Sequence, residues 1–224
     1  MAPRAELLPR LLTWLSPSFP TGAFAYSHGL EWAVETGAVR TAADVVDWLG
    51  ALLLHGSLWT DAVLLRQAWR ADTAPALQAL AAFGSACSAS RERQEETQAL
   101  GAAFIRAIGP WNVLPDAIVA AGPEACWPLP VVMGAVLHAA GLDEAAACLA
   151  AGHASVANLV SAAVRLVPLG QTDGLRCLAA LEPVLLEMTR RSAGADLDDV
   201  GGCCLLSDIA AMRHETQRTR LFRT

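Results

Sequence analysis

The chain has 224 residues, enough for one domain with a substantial core. Hydrophobic residues make up 54% and charged residues 17%, with alanine and leucine supplying the excess, so the expectation is an all-α protein. All 16 basic residues are arginine, which excludes a P-loop lysine and a lysine Schiff base, and a net charge of −6 argues against general nucleic-acid binding.

Leu7, Leu8, Leu11, Leu12 and Leu15 mark one face of a short first helix. The SPSFPTG segment, with Pro17, Pro20 and Gly22, ends it as a defined turn. A second helix is predicted over about 24–36, closed by Gly37. Thr41 and Asp44 form a capping-box start for a third, followed by the apolar stripe Val45, Trp48, Leu49, Leu52 and Leu53. Asp61 is read as the start of a fourth, running to about Arg70, and Pro75 as the first turn of a fifth. Residues 88–108 read as the longest exposed helix because Arg91, Glu92, Arg93, Glu95 and Glu96 cluster at its start. Gly109 and Pro110 stop it. Residues 115–130 read as irregular, with at most a short helix. Further helices are predicted near 130–141, 143–151, 154–167 and 174–191, with a break at Gly152. The glycine-rich, acidic stretch 192–202 reads as a flexible link. A last helix covers roughly 205–215. The whole is a single-domain helical bundle of about ten helices over residues 1–224, without repeats.

Two uncharged stretches, 125–142 and 145–164, are long enough to raise the question of a membrane span. Pro128, Pro130, Gly152, His153 and Asn158 interrupt them, no aromatic belt flanks the second, and buried helices are expected instead. Arg4, Glu6, Pro9 and Arg10 break the apolar core that a secretory signal requires, so the cytoplasm is the expected compartment. The six cysteines form no CxxC pair, and Cys203 and Cys204 are adjacent, a spacing that suits neither an ordinary disulfide nor a zinc finger.

The most informative segment is 16–31, SPSFPTGAFAYSHGLE. Ser27, His28 and Glu31 invite a catalytic reading. Neighbours on a helix diverge by about 100°, however, and no Gly-x-Ser-x-Gly elbow surrounds the serine, so no catalytic residue is assigned. The five histidines stand apart in sequence, and His214-Glu215 lacks the second histidine of an HExxH pair. No metal ligand set and no cofactor is assigned. The alternatives kept open are an enzyme centred on His28 and Glu31, and a direct metal carrier; turnover by the purified protein and equilibrium dialysis would respectively reveal them. The C-terminal stretch 207–224 carries Arg213, Arg218, Arg220 and Arg223 against Asp208 and Glu215, with Leu221 and Phe222 embedded. Forked guanidinium donors beside apolar anchors have the composition of a docking peptide.

Three segments carry a resemblance to a known family. Residues 19–31 resemble the N-terminal signature of the UreF-type urease accessory proteins. Residues 163–175, AVRLVPLGQTDGL, resemble that family's Arg-Leu-x-Pro-Leu-Gly-Gln block. Residues 207–224, SDIAAMRHETQRTRLFRT, resemble its C-terminal tail. The three lie in order and span nearly the whole chain. One departure occurs in the Arg/Glu-rich helix, where Gln98 is followed by Ala99 and Leu100 rather than glycine, and no functional residue is carried over from that helix.

The resemblance implies an all-helical homodimer without catalytic activity. It implies a scaffold that joins a UreD/UreH-type protein and recruits a UreG-type GTPase, so that nickel is inserted into apo-urease. GTP hydrolysis then belongs to the GTPase. Tyr26, Ser27, His28 and Glu31 are expected at or near the face that engages the GTPase or forms the dimer. Arg213, Arg218, Arg220, Leu221, Phe222 and Arg223 are expected to engage the scaffold protein, as part of a docking segment 205–224. Deleting the last ten or so residues is expected to abolish scaffold binding and to spare helical content.

Overall fold

Two helices buried around most of their circumference build the centre of the molecule. The computed structural model describes residues 5–224; Arg4, invoked above for the N-terminus, lies outside the described residues. The first central helix is α4 (Ser57–Arg70) and the second α8 (Leu129–Ala139), in which every residue from Pro130 to Leu137 is buried. Pro130 sits in the first turn of α8, where its missing N–H leaves no helical bond unmade. The two backbones meet at Gly134, which lies directly on the carbonyl of Leu65, where a Cβ has no room.

Further helices surround this pair. The third in sequence, α3 (Ala42–His55), begins with the predicted capping box: Thr41 Oγ1 accepts from the Asp44 amide at 3.2 Å and Asp44 accepts from the Thr41 amide at 2.9 Å. Helices α9 (Glu144–Leu166) and α10 (Gln171–Ser192) pack on each other, and α10 also covers α3. On the other side α6 (Arg91–Ile108) lies along α8, flanked by α5 (Ala74–Ala86) and the short α7 (Asp116–Ala121). Near the start of the chain are α1 (Leu8–Trp14) and α2 (Leu30–Glu35). The last helix, α11 (Leu205–His214), packs against α2, so segments far apart in the sequence meet. The described residues thus form eleven α-helices and four 3-10 turns, with no strand, and the all-α expectation holds.

Four expectations are corrected. The fourth helix begins at Ser57 rather than Asp61, because the chain bends at Gly56 and a new helix starts at once. No break occurs at Gly152. It lies inside the 23-residue α9, and an added Cβ there would meet Met188 Cε at 2.8 Å, so the glycine serves helix packing. Helix α6 is neither the longest nor an exposed one: Glu92, Arg93, Glu96 and Thr97 are buried with Leu100, Phe104 and Ile108. Fourth, the 192–202 stretch is fastened to α4. Trp59 Nε1 donates to the Asp199 carbonyl at 2.9 Å, Gln67 to that of Ala195 at 3.0 Å and Arg70 to that of Ala193 at 2.8 Å.

Two helical stretches are apolar and long enough by composition to cross a bilayer, Ala42–Arg70 and Glu144–Leu166. The first is two helices divided at Gly56, and both stretches contribute residues to the core. A third element of the core was not foreseen. Arg66, on α4 and 2% exposed, donates to Ser192 at 2.9 Å, to Glu144 at 2.5 Å and to the Thr189 carbonyl at 2.7 Å, tying α4, α9 and α10 together.

Candidate functional site

The site is built where α2 and α11 meet. In the entry turn Phe19 is buried against Phe104, with ring centroids 5.5 Å apart. Residues 23–25 form one 3-10 turn and Tyr26 is extended. The predicted second helix is therefore corrected: its first half is a loop, and α2 begins only at Leu30. The reason is visible at residues 27–29. His28 and Gly29 both take left-handed backbone angles, with φ of 55° and 77°. That conformation costs a non-glycine residue about 1–2 kcal/mol. It is held here by His28 Nε2, which reaches Glu96 at 2.7 Å, and by Ser27 Oγ, which accepts from the Glu31 amide at 3.2 Å. Gly29 has a second constraint: a Cβ there would stand 2.6 Å from the amide nitrogen of Ala211, where α11 presses on the turn.

Beyond α11 the chain turns back along this loop. The amides of Leu221 and Phe222 donate to the Glu31 carboxylate at 2.6 and 2.9 Å. The Arg223 amide donates to the Ala25 carbonyl at 2.8 Å, and the Ser27 amide to the Thr224 carbonyl at 2.9 Å. Ser27 Oγ donates to the same carbonyl, and Thr224 Oγ1 donates to Glu96 at 2.8 Å. Phe222 is buried, with the Arg165 guanidinium 4.4 Å from its ring centroid. Arg165 also donates to the Phe24 carbonyl at 2.9 Å. The block around residue 165 thus joins the signature loop and the tail.

Helix α6 supplies the opposing charges. Glu92 lies 2.7 Å from His214 Nδ1 and 2.6 Å from Arg220. His214, wholly buried, turns its other ring nitrogen to Glu31 at 3.2 Å. Glu96 is paired with Arg93 at 2.5 Å and with His28. Burial alone would raise the Glu96 carboxyl; Arg93 and His28 overcome it and hold the group down to about 2. Arg93 is in turn raised, its burial outweighed by Glu96 and Asp61.

The arrangement is a clasp of buried, mutually paired charges. The Ser27–His28–Glu31 grouping does not assemble, because the serine hydroxyl donates to Thr224, the imidazole faces Glu96 and the carboxylate holds the tail. Among the described residues no three His, Cys, Asp or Glu side chains are placed to hold a metal ion. Tyr26, Ser27, His28, Glu31 and Phe222 are interior in the single chain, beneath the surface rather than on it. Arg220 pairs with Glu92, while Arg213, Arg218, Leu221 and Arg223 are exposed. So is an apolar face of α11 formed by Leu205, Leu206, Ile209 and Met212.

The reading of the sequence missed Glu92, Arg93, Glu96, Arg165 and His214 as members of the site. A signal existed for the three on α6. Their positions fall on the same helical face as Leu100, Phe104 and Ile108, so the charges continue a buried stripe.

Fold and site define an all-helical protein in which the loop at residues 25–31 and the C-terminal segment are locked together through buried polar and charged pairs. Comparison with known proteins agrees with this class. The UreF family model matches residues 39–182. The chain is 50% identical over 226 residues to the urease accessory protein UreF of Rhodopseudomonas palustris strain BisA53, covering 98% of this chain and 94% of that protein. It is 48% identical over 217 residues to the one from Agrobacterium fabrum, at 96% and 95% coverage, and 46% identical over 220 residues to the one from Rhizobium leguminosarum bv. viciae, at 98% and 97%. The chain belongs to the UreF family of urease accessory proteins.

Proposed function

We propose that this protein is a non-catalytic scaffold of urease maturation, working in the cytoplasm as a homodimer. It joins a UreD/UreH-type protein and recruits a UreG-type GTPase, and the assembly delivers nickel to apo-urease. Nickel is cargo here, and the nucleotide chemistry belongs to the GTPase. The observation that supports the reading is the clasp. Ser27, His28, Glu31, His214 and Thr224 are consumed in pairing with one another and with Glu92 and Glu96 of α6, and the outer surface they support is apolar and arginine-rich: Leu205, Leu206, Ile209, Met212 and Leu221 beside Arg213, Arg218 and Arg223. Apolar anchors with a rim of guanidinium groups suit a protein partner with an acidic, partly apolar face.

On this reading the buried residues of the clasp act indirectly. They fix the α11 face and the tail in one arrangement, and the exposed residues make the contacts. Co-purification with the two accessory partners tests it. The pair Leu221→Asp and Arg218→Glu, both at exposed positions, is expected to reduce capture of the scaffold protein at least tenfold with the fold intact. Undiminished capture by that double variant contradicts the assignment.

A further inference from the structure

A cleft opens between α4, α6, α8 and α11, and it is lined by groups that the chain leaves without partners. Two of them are carboxylates. Asp61 of α4 has 32% of its side-chain surface open, and its ion-pair partner, Arg93, is 4.0 Å away and gives its close contact, 2.5 Å, to Glu96. Asp208 of α11 has no side-chain hydrogen bond or ion pair among the described residues. Ser207, only 8% exposed, lines the same cleft, and its hydroxyl has no partner among the described residues. The hydroxyls of Ser57, Thr60 and Ser88 stand there equally unpaired. We propose that this cleft receives a lysine or arginine side chain of the scaffold protein that docks on α11.

Hydroxyls and carboxylates withdrawn from water without donors call for a donor from outside the chain. Burial raises both carboxyls above their ordinary value. At Asp61 the Arg93 guanidinium opposes the rise without cancelling it, and at Asp208 nothing opposes it. A cation entering the cleft compensates both charges. Among the described residues no three His, Cys, Asp or Glu side chains gather here, so a metal ion lacks a ligand set. Size selects a side chain over a small molecule: the cleft holds about 80 Å³, against roughly 300–1,000 Å³ for pockets that enclose a drug-sized ligand. Position selects the partner. Asp208 stands one helical turn from Leu205 and Met212 of the exposed apolar face, so a protein covering that face passes the mouth of the cleft. The carboxylates lie toward the start of α11, and Arg213, Arg218 and Arg223 lie at and beyond its end. Opposite charges at the two ends of one surface fix the direction in which a partner docks. The inference rests on the reading of α11 as the docking face.

The test is capture of the UreD/UreH-type protein by the full chain carrying Asp61→Asn and Asp208→Asn, beside thermal unfolding of the same protein. The amides keep the shape and remove the charges, so capture is expected to fall at least about tenfold. The unfolding temperature is expected to stay at or above that of the wild type, because no partner within the chain is lost. Asp208→Asn alone, at a partly buried position, is expected to lose about threefold. Undiminished capture by either folded variant overturns the proposal. An unfolding temperature well below the wild type overturns it as well, since the carboxylates then have partners inside the chain. Stoichiometric nickel binding by the purified wild type that the double variant loses would assign the cleft to a metal ion, with the same consequence. The Leu221→Asp and Arg218→Glu pair separates the two readings. If that pair loses capture and the asparagine variants keep it, the cleft assignment alone fails; if that pair is fully captured, the docking face fails with it.

Discussion

Glu31 ties together three partners that lie far from it in the sequence: the Leu221 amide, the Phe222 amide and the His214 ring. Replacing it by glutamine keeps the shape but removes the charge and leaves one acceptor oxygen in place of two, so two amide donors and a histidine must share what remains. Urea unfolding of Glu31→Gln is expected to show a loss of roughly 2–4 kcal/mol. A loss under about 0.5 kcal/mol would mean that the tail is not held by this carboxylate. Glu96 gives a pH prediction. Its folded value, about 2, lies below the ordinary 4.5, so its contribution is fully present above pH 4.5 and is lost as the pH falls toward 2. That contribution is on the order of 3 kcal/mol. Acid unfolding of Glu96→Gln should therefore show less stability loss between pH 4.5 and 2 than the wild type, and identical acid profiles would contradict the pairing. Glu31 could be singled out from the signature string. Its partners could not, because amide donors in a tail and a histidine 183 residues away leave no local trace.

At the level of elements, periodicity predicted where helices lie better than which face they bury. The capping box of α3 and the proline-led start of α5 act through neighbouring backbone, and they were legible. The turn at 27–29 was read as helix because Phe24, Tyr26, His28 and Glu31 have a tolerable helical spacing; the left-handed backbone at His28 and Gly29 is imposed by Glu96 and α11 from outside the segment. The charged start of α6 was read as solvated because its counter-charges, His28, His214 and Arg220, lie elsewhere in the chain. Gly29 tests this element directly. In Gly29→Ala the left-handed angle and the approach of Ala211 both oppose the methyl group. The cost is expected to be roughly 1–3 kcal/mol, read as a lowered melting temperature together with loss of amide protection in α11 and the tail. An unchanged melting temperature would show that the turn and α11 do not press on each other.

For the whole molecule, the notable feature is that the family-like segments, separated in sequence, share one structure. Two separate contact ends were expected; the signature loop, the block at Arg165 and the tail are instead interlocked. This changes what a truncation means. Removing residues 215–224 strips Glu31, Glu92, Glu96 and Ser27 of partners, so both the melting temperature and partner capture should fall. A truncated protein with wild-type stability would argue that the clasp does little. The more direct test of the central claim changes only the outer surface. Capture of the UreD/UreH-type protein should be measured for Leu206→Asp combined with Leu221→Asp and Arg218→Glu, beside thermal unfolding of the same protein. The account predicts an unchanged unfolding temperature and a loss of capture of at least tenfold; full capture by a normally folded triple variant would contradict it.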